Sequence, residues 1–314
     1  MIEKGITLIT AFFDIGRGNI ENQSLRRSDE EYFTYFEHWA RMQNMLIVYT
    51  EGRYADSVIQ IRKKFGLEDR TKVVVVDNIF EMEPDLFQKM CRIEQNSQFK
   101  KFRYFENAYS NTARYTYIML MKYWCMKDSC EKDLVGTETV AWIDFGFDHG
   151  GNAYLKSDEF SFLWEYSFSE KINLFCLNNP DEMLGADSLQ LQCDCVMGAL
   201  LCVPSNLVKT LWILVRESME ALISLDCIDD DQQLLLMAYK RRPELFEVHI
   251  SDWFMPIKEY GGGHLTVKDK TNANSGWKRK MKILLKSPKC LFGGDGMKPF
   301  ARRCIERARR CYSA

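Results

Sequence analysis

Short, unbroken apolar runs recur along the chain, with helical stretches between them. Residues 6–13 read ITLITAFF, 46–50 LIVYT, 73–76 VVVV and 139–145 TVAWIDF. A strand that alternates apolar and polar residues has one wet face, whereas a run without alternation is covered on both. Helical spacing separates these runs. Ser28 and Asp29 open a stretch over 29–45 with Tyr32, Phe33, Phe36, Trp39 and Ala40 at helical intervals, and a second helix is predicted over 55–65. This order predicts an α/β domain built on a mostly parallel central sheet flanked by helices. Further helices are predicted over 84–95, 111–126, 205–224 and 231–240, and further strands over 171–177, 193–203 and 245–250.

A hydrophobic share of 46% with 27% charged residues suits a globular chain with a sizeable core. The first residues lack a basic segment followed by an apolar core and a small-residue cleavage site, and the apolar stretch 196–215 is cut by Pro204, Asn206 and Lys209. The expected location is therefore the cytoplasm. Eleven cysteines without a CxxC pair fit reduced thiols, and Cys193 and Cys195 read as a thiol pair on one strand face.

Charge divides the chain in two. Residues 276–314 carry 12 Lys and Arg against 2 Asp and Glu, a net of +10, while the remainder holds 30 basic and 42 acidic residues, a net of −12. The expected organisation is a catalytic domain over 1–275 and a basic, helical C-terminal extension over 276–314. A basic segment on an acidic body suits an anionic membrane surface, or is simply a solvated helical face; the acidic body argues against a nucleic-acid reader.

In an open α/β sheet, ligands lie beyond the carboxyl ends of the strands. That rule selects the segment from Phe12, Phe13 and Asp14 to Arg17, the Thr50–Tyr54 stretch, Asp77, and Asp144 with the following Gly146 and Asp148. A carboxylate at the end of a buried strand needs a neutralising charge, which a divalent metal bridging a diphosphate would supply, although such an Asp can equally cap a turn. Asp229, Asp230 and Asp231, followed by Gln232, open a helix; one acid suffices as a cap, so another is available to an acceptor hydroxyl. Arg114, in the first turn of an apolar helix, can clamp phosphate or sugar hydroxyls or lie on the surface. His149, His249 and His264 fall near strand ends and loops, and Lys268 and Lys270 can meet phosphate or remain solvated.

The opening TLITAFFDIGRG and the later VAWIDFG resemble the HtrL/YibB family, whose members are regarded as glycosyltransferases linked with lipopolysaccharide and surface-glycan synthesis. The resemblance spans roughly 7–274 and implies a GT-A-like (Rossmann-like) fold with a UDP-sugar donor, a glycan or glycolipid acceptor, and Mn²⁺ or Mg²⁺. In GT-A enzymes a strand-end DxD motif holds the metal and the donor diphosphate. Asp144 matches one Asp of that motif, but Gly146 stands where the second would be, so Asp148 or a histidine such as His264 would complete the shell. By the same resemblance, Phe12, Phe13, Asp14, Arg17, Tyr54, Asp77, Lys268 and Lys270 would bind the nucleotide, and Arg114, Asp231 and Gln232 would serve catalysis. The Asp231-Gln232 pair resembles an element of retaining transferases. Two alternatives fit the same strand-end Asp. A phosphohydrolase of the haloacid-dehalogenase type needs a second acid where Gly146 lies, and a non-catalytic nucleotide-sugar or glycan-binding scaffold would dock by its basic segment.

Overall fold

The computed structural model describes residues 5–19, 26–96, 99, 112–191 and 194–268. Lys270 and the basic segment 276–314 lie outside the described residues, as does Cys193. Seven strands, β1 (Thr7–Phe12), β2 (Leu46–Thr50), β3 (Thr71–Val75), β4 (Thr139–Ile143), β5 (Ile172–Cys176), β6 (Val196–Pro204) and β7 (Phe246–Ile250), form one sheet in the order β3-β2-β1-β4-β6-β5-β7. Only β6 runs against the others: β1 is parallel to β2 and β4, and β5 to β7, whereas β4 and β5 both pair antiparallel to β6. This is the α/β, GT-A-like arrangement that the apolar runs and the resemblance led us to expect.

The longer helices are α1 (Asp29–Trp39), α2 (Gly52–Lys63), α3 (Pro84–Gln95), α4 (Ala113–Glu131), α5 (Gly185–Leu191), α6 (Val208–Ser224) and α7 (Asp231–Arg241), with a short α8 (Pro256–Glu259) near the end of the described chain. Alternate residues of the same strand feed different cores. Ile9, Ile47, Val140 and Trp142 pack against α3, α4, α6 and α7, while Leu8, Leu46, Val48, Ala141 and Ile143 pack against α1, α2 and the segments around Phe160 and Ile257. Both faces are thus covered, which is why the strand sequences show no polar alternation. Helix α1 starts with a capping box in which Ser28 and Glu31 satisfy each other's backbone amides.

The fully buried Arg62 on α2 donates to the carbonyls of Ala40, Met42 and Asn44, tying the α1–β2 connection to the sheet. Burial lowers its pKa to about 9, so the carbonyl dipoles are what keep this guanidinium in the core. The seven described cysteines are free thiols, and the Cys195 thiol beside β6 donates to the Asn178 carbonyl.

Candidate active site

Strand β1 lies between β2 and β4, at the point where the strand order reverses. Antiparallel β6 brings its amino end to the edge where β1 and β4 have their carboxyl ends. Crevices open at such a reversal. Here the crevice consists of two adjoining cavities of about 330 and 370 Å³, which share Tyr115, Met119, Lys122, Asp144, Gly146 and His149.

The shared wall is held by a buried ion cluster. Lys122 projects from α4 and is only 4% exposed; its Nζ lies 2.7 Å from Asp144 Oδ1 and 2.6 Å from Asp231 Oδ2, and it donates to the Gly198 carbonyl at 3.2 Å. Three elements far apart in sequence therefore meet on one ammonium. Asp144 is fixed further by the Trp142 indole, which donates to Oδ1 at 2.7 Å, and by its own backbone amide on the Ala199 carbonyl. Gly198 is required by close approach, because a β-carbon there would lie 2.7 Å from Asp231 Cγ.

Burial by itself would push the Lys122 pKa down, but the two carboxylates outweigh it and leave the pKa raised. Asp231 is also raised, first by burial and then by Asp144, against the lowering effect of Lys122. One cation facing two carboxylates leaves an excess negative charge. Of the two, Asp144 faces the cleft, with its side chain 34% exposed against 4% for Asp231.

The run of three acids divides its work by position. Asp230 caps α7 by accepting from the Gln232 amide, Asp229 accepts from the Asp230 amide, and Asp231 turns inward to Lys122. Gln232 lines the second cavity, and its buried Oε1 finds no hydrogen-bond partner among the described residues.

The first cavity is lined by Phe12, Phe13, Asp14 and Arg17 from the end of β1, with Arg27, Asp29 and Tyr32. Asp14 accepts from the Gly16 amide at 2.6 Å and pairs with Arg53 at 3.2 Å. The Arg17 guanidinium donates to the Tyr32 hydroxyl. Tyr54 stands one layer behind: its hydroxyl donates to Asp29 and its ring packs edge-on against Phe12 at 5.0 Å.

The remaining expected site residues are placed elsewhere. Arg114 is exposed and stacks over Phe80 at 4.6 Å, outside both cavities, whereas its neighbour Tyr115 on the same turn of α4 lines both. Asp77 is exposed beyond β3, with two strands, β2 and β1, between it and β4. Lys268 is exposed and donates to the Gly151 carbonyl. Asp144 and the two candidates to complete its metal shell, Asp148 and His264, do not form one metal-binding group. Asp148 is fully buried and accepts from the amides of Ala153 and Tyr154, closing a turn in which Asp148, His149, Gly150 and Gly151 all have positive φ. His264 lies against Phe162, with Nε2 3.0 Å from the Glu159 carbonyl.

Among the described residues no group of three or more His, Cys, Asp or Glu side chains is placed to hold a metal ion. The cleft does offer the partly exposed Asp144 carboxylate. One or two carboxylates suffice for a Mg²⁺-like ion that takes the rest of its shell from phosphate and water. Asp144 therefore fits such a group as a single ligand, and not as part of a protein cage.

The model of the HtrL_YibB family, described as a bacterial protein of unknown function, matches residues 4–260. The chain belongs to the HtrL/YibB family. "Protein HtrL" of Escherichia coli (strain K12) is 29% identical over 271 residues, which cover 81% of this chain and 91% of that protein. This HtrL/YibB chain is also similar to solved structures. The crystal structure of mouse xyloside xylosyltransferase 1 in its apo form has a TM-score of 0.39 and 12% identity, covering 81% of this chain and 93% of that one. The PaToxG glycosyltransferase has a TM-score of 0.35 and 10% identity, covering 98% and 87% respectively. At such scores these likenesses carry no residue-level inference.

Lys122 is the residue that sequence reasoning missed. The available signal was a lone lysine inside the apolar run 118–126, IMLMKYWCM, where a charge is expensive unless it is paired.

Proposed function

We propose that this HtrL/YibB chain is a glycosyltransferase that moves a hexose from a UDP-sugar to a glycan or lipid-linked acceptor. One observation carries the reading: Asp144 at the carboxyl end of β4 lies on the wall between two cavities and is tied through Lys122 to Asp231 on the far side. Two substrates that must meet need two pockets with a common wall, and the reacting groups belong on that wall.

In this reading the β1 end binds the nucleotide. Phe12 and Phe13 supply an apolar wall, and Arg17 and Arg27 bring positive charge for the diphosphate. Mn²⁺ or Mg²⁺, held by Asp144 and completed by the diphosphate, would offset the negative charge that develops as UDP departs. Lys122 keeps Asp144 and Asp231 in fixed positions, so neither carboxylate has to reorganise during transfer. Asp231 and Gln232 face the acceptor. Retention of anomeric configuration is the stereochemistry favoured by the likeness of Asp231-Gln232 to retaining transferases. The basic segment 276–314 would hold the enzyme on anionic lipid at the cytoplasmic face of the membrane, where a lipid-linked acceptor for lipopolysaccharide synthesis is available.

Calorimetric titration tests the reading. UDP should bind at least tenfold more tightly with Mn²⁺ present, about 1.4 kcal/mol, and Asp144→Asn should lose that increment. Mn²⁺ alone should bind weakly, since the protein provides no cage. No UDP binding with or without Mn²⁺, or an unchanged increment in Asp144→Asn, would refute the assignment.

A further inference from the structure

The second cavity has a chemical character of its own. At about 370 Å³ it is near the lower end of the range for small-ligand sites, about 300–1,000 Å³. Its lining combines the aromatic side chains Phe147, Trp253 and Phe254 with the polar Asp231 and Gln232. Gln232 is only partly buried and lines this cavity, so its carboxamide can meet a ligand hydroxyl, while its Oε1 is turned away from solvent with no hydrogen-bond partner among the described residues.

The aromatic wall is held in place against backbone preference. Phe254 has φ +66, a conformation that side chains with a β-carbon rarely adopt. Its carbonyl accepts from the Tyr154 hydroxyl, and its ring packs edge-on against Phe147 at 5.2 Å. Trp253, only partly buried, follows from this turn, with its ring centre 6.1 Å from that of Phe254. Backbone strain that is held in place by surrounding contacts is typical of a functional wall.

We propose that this cavity is a subsite for a pyranose ring of the acceptor. The ring's apolar C–H face lies on Trp253, and one hydroxyl hydrogen-bonds with the Gln232 carboxamide. The proposal rests on the transferase reading, because it makes this ring the acceptor end of the same reaction. A pyranose fits this lining because one face is apolar while its edge is lined with hydroxyls. An acyclic polyol has the hydroxyls without the flat face, and a purely apolar ligand would leave Gln232 unsatisfied. The aromatic wall thereby selects for a ring, and Gln232 selects for the position of one hydroxyl.

Saturation-transfer NMR tests this on the full chain, with methyl β-D-glucopyranoside and methyl β-D-galactopyranoside as probes and mannitol as the acyclic control. The expected result is transfer to the ring protons of at least one pyranoside, none to mannitol, and no loss of the signal when UDP is saturating. Trp253→Ala should reduce the transfer at least fivefold and Gln232→Leu about threefold, whereas Trp253→Phe should retain most of it. Thermal denaturation of each variant establishes that it is folded. Equal transfer in Trp253→Ala, displacement of the pyranoside by UDP, or no transfer from either pyranoside would overturn the proposal. A protein that binds UDP but no pyranoside keeps the donor site and loses this subsite. A Trp253-dependent pyranoside site in a protein that does not bind UDP keeps the subsite and removes the transferase reading.

Discussion

Replacing Lys122 with Met keeps most of the side-chain volume and removes the charge that two carboxylates share. Lys122 is 4% exposed, with contacts of 2.7 Å to Asp144 and 2.6 Å to Asp231, so little water can take its place. Breaking a buried pair by deleting one partner costs about 3–5 kcal/mol. The lower end applies here, because Asp144 is partly exposed and can recover solvation, whereas Asp231 cannot. We therefore expect a loss of about 3 kcal/mol at pH 8, a shift of about 1 M in the urea midpoint for an m-value near 3 kcal/mol/M.

The loss should depend on pH. Without Lys122, the folded-state pKa of Asp231 rises further above its unfolded value, so the folded state binds the proton more tightly. The penalty is then fully present above that raised pKa and is relieved as pH falls through it. Urea denaturation at pH 8, 6.5 and 5 measures this, and the gap between wild type and variant should narrow towards pH 5. Lys132→Met is the control. It removes a half-exposed lysine paired i,i+4 with Asp128 at 2.7 Å, where water can replace the ammonium, and should cost no more than about 0.5 kcal/mol. A loss below about 1 kcal/mol at pH 8, or one that does not change with pH, would show that Lys122 does not hold the two carboxylates.

Two further outcomes follow from the placement of single residues. Arg114→Ala should leave UDP affinity within twofold of wild type and cost less than about 1 kcal/mol, since it loses only an exposed stack on Phe80; a tenfold drop in UDP affinity would return Arg114 to the donor site. Burial raises Asp148 from 3.8 to about 6, so on its account stability is present at low pH and is lost as pH rises from about 4 through 6. The stability of wild type relative to Asp148→Asn should accordingly fall by about 2 kcal/mol between pH 4.5 and 7.5, and a flat or rising difference in urea denaturation would contradict the assignment.

The architecture could be read from the chain because burial on both sides of a sheet leaves a local mark. The runs at 6–13, 46–50, 73–76 and 139–145 overlap β1 to β4, with the third starting two residues late, and the pattern over 84–95 gives helix α3 with its observed bounds. The strand-end rule likewise found Phe12, Phe13, Asp14, Arg17 and Asp144, because carboxyl ends of parallel strands share one edge whatever the helices between them do. Asp231 was found as an acid in excess of what a cap needs.

Tertiary structure alone decided which charged groups meet. Lys122 is 109 residues from Asp231 and 22 from Asp144, and no spacing rule joins a mid-helix lysine to a strand end and to the start of another helix. The reversal of β6 brings Gly198 beneath Asp231, and that contact exists only once the sheet is formed. Asp148 and Arg114 show the converse. Each has the chemistry for a site, but a left-handed turn aims one inward and the pitch of α4 aims the other outward. Residue type and local pattern determine what a side chain can do and which element carries it; the direction in which it points, and the charge it faces, come from packing between elements distant in sequence.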